Sequence, residues 1–205
     1  HREHGIALVG DDQIFALGGD VVDVEILDSK KLDHWEKGVP MLTARSSAVV
    51  GVVDKKIFVI GGLIDTSPGE IEYLKTCEVF DLEKREWTTP APPMKYRRYA
   101  SGSAVVGHRI FVFGGTDETE VRHGSCEVLD TKKNTWEEMS PMPTPREEII
   151  VATVDNRFIW TFGGSTVDKP CCDVIEIFDV EKNEWSTPNA KLPFERDRSQ
   201  AVFVN

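Results

Sequence analysis

SSAVVGVV (residues 46–53), KIFVIGG (56–62), CEVFDL (77–82) and EWTT (86–89) together decide the fold. Each piece holds about five apolar or alternating residues bounded by Gly, Pro, Asp or Asn, so the stretch reads as four short strands joined by turns. Helical periodicity is nearly absent from the chain. The polar run Asp54-Lys55-Lys56 predicts a hairpin turn between the first two strands, and Asp11-Asp12-Gln13, Gly107-His108-Arg109 and Asp155-Asn156-Arg157 repeat that chemistry elsewhere.

The same four-strand sentence is written four times. Glycine pairs stand at Gly18-Gly19, Gly61-Gly62, Gly114-Gly115 and Gly163-Gly164, at intervals of 43, 53 and 49 residues. Trp35, Trp87, Trp136 and Trp185 follow them at intervals of 52, 49 and 49. Between the markers lie VEILD, CEVFD, CEVLD and IEIFD, carrying Glu25, Glu78, Glu127 and Glu176 together with Asp28, Asp81, Asp130 and Asp179. Three registers that agree on one period of about fifty residues define a repeat architecture.

These markers resemble the kelch repeat: a double glycine ending one strand, a glutamate in the next and a tryptophan in the last. The resemblance covers essentially the whole chain. Phe15, Phe58, Phe111 and Trp160 stand three positions before the glycine pairs, where many members have Tyr. The implied fold is all-β, a β-propeller of four-stranded antiparallel blades around a central channel. The units run approximately over 1–40, 41–92, 93–141 and 142–193 of a single propeller domain or fragment, with an extra strand in 194–205. GIALV (5–9) already supplies a first strand for unit one, so SQAVFV (199–204) reads as the first strand of a fifth. Two expectations stay open: a small closed ring of four units, or four visible blades of a larger propeller, which the surplus strand and the absence of an initiator Met before His1 suit equally well.

Composition narrows the partner. A hydrophobic content of 40% suffices for a core, while a formal net charge of −11 argues against nucleic acid or anionic membrane surfaces as partners. No apolar run has membrane-spanning length and no signal peptide precedes His1. Cys77, Cys126, Cys171 and Cys172 form neither a dense disulfide framework nor a Cys-x-x-Cys motif, so a reducing, cytoplasmic location is expected.

The glycines, tryptophans and strand glutamates recur in every unit and are read as scaffold. Arg2, Arg45 and Arg98 lie sixteen residues before their glycine pairs, and Arg146 seventeen. Arg196 matches that register in the last partial unit, with Arg198 two further on. The resemblance places such arginines at the channel mouth, where they imply carboxylate recognition and a possible acidic peptide; the alternative is pairing with a carboxylate or carbonyl of the protein itself. The family also uses a small hydroxyl two positions before the strand glutamate. Thr76 and Ser125 match it, whereas Asp23 and Val174 do not. From second glycine to glutamate the loops span 6, 16, 12 and 12 residues. The longest holds Leu63, Ile64, Ile71, Tyr73 and Leu74, with Tyr73 as an anchor on a binding loop or these residues as an extended hairpin. Cys171-Cys172 beside Lys169 presents an exposed thiol pair, read either as a redox sensor or as inert.

The resulting expectation is a non-enzymatic protein-protein interaction module. By resemblance it would be a scaffold or ubiquitin-ligase substrate adaptor, with actin binding as the sibling possibility. The rival is an enzyme. His1, His4, His34, His108 and His123 form no metal-ligand series, so neither metal nor cofactor is expected. A sugar mutarotase needs only acid-base side chains and stays open through the carboxylates near Arg146.

Overall fold

The computed structural model describes residues 4–197 apart from positions 11, 32, 68 and 69. Arg2, Arg198 and the strand expected at 199–204 therefore lie outside the described residues. Every regular element among those described is a strand. The sheets fall into two compact units, His1–Tyr99 and Ala100–Asn205.

In the first unit, β1 (His4–Val9), β2 (Gln13–Gly18), β3 (Val24–Asp28) and β4 (Trp35–Lys37) make blade 1. Blade 2 is β5 (Val49–Val53), β6 (Lys56–Ile60), β9 (Cys77–Asp81) and β10 (Glu86–Thr88). Its long loop folds into a two-stranded hairpin of its own, β7 (Leu63–Ser67) with β8 (Glu70–Tyr73). In the second unit, β11 (Gly102–Val106), β12 (Arg109–Phe113), β13 (Cys126–Asp130) and β14 (Thr135–Met139) make blade 3. Blade 4 is β15 (Ile150–Val154), β16 (Phe158–Phe162), β17 (Ile175–Asp179) and β18 (Glu184–Ser186). All four blades are antiparallel meanders, as the repeat predicts.

Turn chemistry sets the register. Asp54 and Lys55 both have positive φ (47° and 60°), as do Asp155 and Asn156 (54° and 48°). That geometry is the two-residue turn whose twist matches the flanking strands. The aspartate ending each third strand organises the next turn. Asp130 Oδ1 accepts the amides of Lys132 and Lys133 at 3.0 and 2.9 Å, and Asp81 Oδ1 accepts those of Glu83 and Lys84 at 3.0 Å each. Asp28 and Asp179 do the same. These amides hold the carboxyls of Asp28, Asp81 and Asp130 below their ordinary value; for Asp179 the Arg157 guanidinium is the larger cause.

The apolar cores lie between successive blades of a unit. In the first unit Phe15, Leu17 and Val24 of blade 1 pack against Ile57, Phe80 and Trp87 of blade 2. In the second, Phe111, Phe113 and Val128 of blade 3 pack against Ile159, Phe178 and Trp185 of blade 4. Each of these tryptophans also reaches back to the preceding blade's exit segment, Trp87 Nε1 donating to Val39 O (2.9 Å) and Trp185 Nε1 to Ser140 O (2.7 Å). The scaffold reading holds for them, but Trp35 is exposed. Of the strand glutamates, Glu78, Glu127 and Glu176 are buried whereas Glu25 is exposed.

Because the turn aspartates have lowered folded-state values, their contribution is complete above the ordinary carboxyl range and is shed as pH falls through it. Asp130→Asn keeps an acceptor oxygen and removes the charge. The melting-temperature gap between wild type and Asp130→Asn, read by circular dichroism, should therefore be largest at neutral pH and narrow toward about pH 3. A gap that does not change with pH would show that the charge contributes nothing.

Candidate functional site

The arginines that the sequence offers to a ligand face inward. Arg45, Arg98 and Arg146 are 1%, 1% and 0% exposed. Arg45 Nη1 donates to Gly61 O (3.0 Å) and Thr76 O (3.3 Å), and its Nη2 donates to Glu78 Oε1 (2.7 Å). Arg146 Nη1 donates to Gly163 O (2.6 Å), and its Nη2 donates to Thr161 Oγ1 (3.0 Å) and Glu176 Oε2 (2.7 Å). The carboxylate expected from a ligand is thus supplied by the strand glutamate of the same blade. Each glutamate's second oxygen is also occupied, Glu78 Oε2 by the Leu42 amide (2.8 Å) and Glu176 Oε1 by the Thr144 hydroxyl (2.7 Å).

The backbone of the same arginines ties back to the blade before. Gly19 N donates to Arg45 O (3.1 Å), Gly62 N to Arg98 O (2.9 Å), Gly115 N to Arg146 O (2.9 Å) and Gly164 N to Arg196 O (2.7 Å). Close approach is why glycine stands there: a Cβ on Gly114 would collide with the Arg146 carbonyl, and φ is +60°. Arg98 also donates its amide to Leu74 O (3.1 Å), and its guanidinium lies 5.7 Å from the Tyr96 ring centroid.

The other predicted positions divide. Thr76 Oγ1 lies 3.4 Å from Arg45 Nη2, so this hydroxyl serves the internal anchor. Ser125 is half-buried and its carbonyl accepts the Gly114 amide at 3.2 Å. Tyr73 ends the β7–β8 hairpin, its ring 5.3 Å from that of Tyr99 and its carbonyl accepting Arg97 Nη1 at 2.6 Å. The segment forms a two-stranded hairpin in which Leu74 is buried, Leu63, Ile64 and Tyr73 are half-buried, and Ile71 is exposed. Arg196 is exposed, over the Phe194 ring at 6.0 Å.

The cysteines are free, and Cys77, Cys126 and Cys172 are buried. Burial pushes the Cys77 thiol up to about 12. The Cys171 thiol is also raised, first by burial and then by Asp197, Glu195 and Glu148. Its supposed activator Lys169 pairs with Glu195 (3.4 Å), so the surroundings oppose a reactive thiolate.

What the second unit exposes is a set of loop tips that sequence reasoning did not single out. Val121 projects from the blade 3 loop, Val167 from the blade 4 loop (75% exposed) and Phe194 from the segment after blade 4 (70% exposed). Their supports are linked. Arg122 pairs with Glu147 (2.8 Å), Glu147 bridges to Ser165 at the base of the blade 4 loop, and Cys172 at that loop's end bridges to Arg196. Glu118, Glu120 and Asp168 are exposed beside these tips. A lone apolar residue inside TDETEVRHG or STVDKP was the available signal, too weak to separate from ordinary surface.

Arg146→Met leaves the Glu176 carboxylate buried beside a lost partner and should cost about 3–5 kcal/mol. Adding Glu176→Met should recover part of that cost. Urea unfolding of the two single variants and the double variant measures the coupling, and simple additivity would contradict the anchor.

Similarity to known proteins agrees with this geometry. Residues 47–205 match the model of the KLHDC2/KLHL20/DRC7 Kelch-repeats domain. The chain is similar to Kelch-like protein terF of Aspergillus terreus, 30% identical over 60% of this chain and 28% of the relative. It is similar to an F-box/kelch-repeat protein of Arabidopsis thaliana, 32% identical over 54% of this chain and 41% of that protein. It is also similar to human Kelch repeat and BTB domain-containing protein 12, 31% identical over 42% of this chain and 14% of the relative. In each case the match spans less than half of the relative's length. Glycine pairs, anchored arginines, strand glutamates and the matched domain model together support a protein-interaction module, and the chain belongs to the kelch-repeat family.

Proposed function

We propose that this chain is the target-binding part of a scaffold or substrate adaptor, non-enzymatic, and that it recognises a protein or peptide through the loops that follow its glycine pairs. The observation that carries this reading is the division of labour around Arg146. The guanidinium is consumed inside blade 4, while Val121, Val167 and Phe194 stand exposed on segments that the Arg122–Glu147 pair and the two bridges hold together. Apolar tips on loops held by a rigid sheet suit recognition, since little order has to be gained on binding. The F-box and BTB domains in the names of similar proteins support the adaptor reading, in which a ubiquitin ligase would act on the bound target. Free cysteines suit a reducing, cytoplasmic setting.

The expectation of an acidic partner rested on exposed arginines, and Arg196 is the described member of that register that is exposed. Glu118, Glu120 and Asp168 flank the apolar tips instead, so we favour a partner with apolar anchors and basic neighbours. Proteins retained from a cell extract on the immobilised chain, quantified by mass spectrometry, test both points. Val167→Glu with Phe194→Ser should remove bound proteins, with an affinity loss of about thirtyfold or more at an interface hot spot, and should leave the melting temperature unchanged. Asp168→Lys should weaken capture of a basic partner and strengthen that of an acidic one. Identical recovery with all variants would overturn the reading.

A further inference from the structure

Glu70-Ile71-Glu72-Tyr73 alternates carboxylates with apolar bodies and forms β8, one strand of a two-stranded sheet. Alternation puts Ile71 and Tyr73 on one face of the hairpin and Glu70 and Glu72 on the other. Ile71 is 53% exposed, and both glutamates are exposed as well. Tyr73, half-buried against the Tyr99 ring, continues the apolar face.

Backbone bonds fix which groups of β8 point out of the sheet. Leu63 N donates to Ser46 O (3.0 Å) and Ser46 N to Leu63 O (2.9 Å), so the polar groups of Leu63 turn away from β8 and Ser46 covers that flank of β7. Leu74 N donates to Gly62 O (2.8 Å), inside the hairpin. Antiparallel pairs alternate between bonded and non-bonded, so Ile64 and Glu72 bond each other, whereas Tyr73 and Ile71 turn their backbone groups outward. At Tyr73 the outward carbonyl takes Arg97 Nη1. Among the described residues, nothing pairs with the outward amide and carbonyl of Ile71.

We propose that the outer edge of β8 is the docking site for an extended segment of a partner protein in which an apolar residue stands between two basic ones. An incoming strand gives its own amide and carbonyl to Ile71 and makes the sheet three-stranded. The side chain opposite Ile71 then falls on the face of Ile71 and Tyr73, and its two neighbours fall on the face of Glu70 and Glu72. Apolar meets apolar, and lysine or arginine meets the two carboxylates. The chain's own Arg97 already seats a guanidinium on this edge, bonded to Tyr73 O and 3.9 Å from Glu72. Such docking rests on the recognition role proposed above for the loops after the glycine pairs.

Fluorescence anisotropy with a fluorescein-labelled peptide of alternating lysine and valine tests the edge. The same peptide N-methylated at each valine keeps every charge and loses the amides that would bond Ile71 O. It should bind about threefold to tenfold more weakly, the effect of one hydrogen bond. Ile71→Pro removes an amide that the hairpin does not use, and should weaken the unmodified peptide at least as much while the melting temperature holds. Glu70→Lys with Glu72→Lys should turn the preference toward a peptide of alternating glutamate and valine. Equal binding of the plain and N-methylated peptides, or undiminished binding to Ile71→Pro, overturns the docking site. Val167→Glu with Phe194→Ser leaves β8 intact and should bind the peptide as wild type does. A peptide that fails on every chain while extract proteins are still captured through Val167 and Phe194 would sink the β8 site alone.

Discussion

Arg45, like Arg146, holds two blades at once. Its carbonyl receives an amide from the glycine pair of the blade before, and the side chains of Arg45 and Arg146 are locked into the glycine carbonyl and strand glutamate of the blade that follows. A guanidinium taken out of water needs its charge met, which Glu78 and Glu176 do, while the carbonyls of Gly61, Thr76 and Gly163 and the Thr161 hydroxyl take further N–H groups and Arg45 Nε is left without a hydrogen-bond partner among the described residues. The glutamates in turn need their remaining oxygen occupied, which Leu42 N and Thr144 Oγ1 accomplish. Glycine is required at the meeting point because a Cβ on Gly114 would occupy the space of the Arg146 carbonyl. The glycine pair, the strand glutamate and the recurrent arginine are therefore parts of one hydrogen-bonded joint.

That joint explains how a rigid scaffold can carry variable loops. The anchor ends where each loop begins, at the second glycine, so loop length can change from blade to blade without disturbing the sheet below. Blade 2 uses its longer loop to build the β7–β8 hairpin, with Leu74 returning to the core and Ile71 left outside. Blades 3 and 4 use shorter loops, tied through Arg122, Glu147 and Ser165, to hold apolar tips in solvent.

The interblade tryptophans show a second kind of dependence. Trp87 and Trp185 bury their rings against the preceding blade and place the indole N–H on its exit segment. Trp35 has the same register within its sheet and yet is exposed. A position in the repeat fixes which face a side chain occupies, while its burial depends on what packs against that face.

The sequence by itself determined the all-β class, the four-stranded blades, the hairpin turns and the identity of the recurrent residues, because strand alternation and turn chemistry are local and a fourfold repeat makes them unambiguous. Thr76 and Arg45 show where that legibility stops. Spacing made both look available to a ligand, and only the fold brings Arg45 within 2.7 Å of Glu78, thirty-three residues away, and Thr76 beside them. Tertiary structure likewise decided that Val167 and Phe194 are exposed while Leu74 is buried. Direction relative to the core is set by packing between blades, which no run of neighbouring residues encodes.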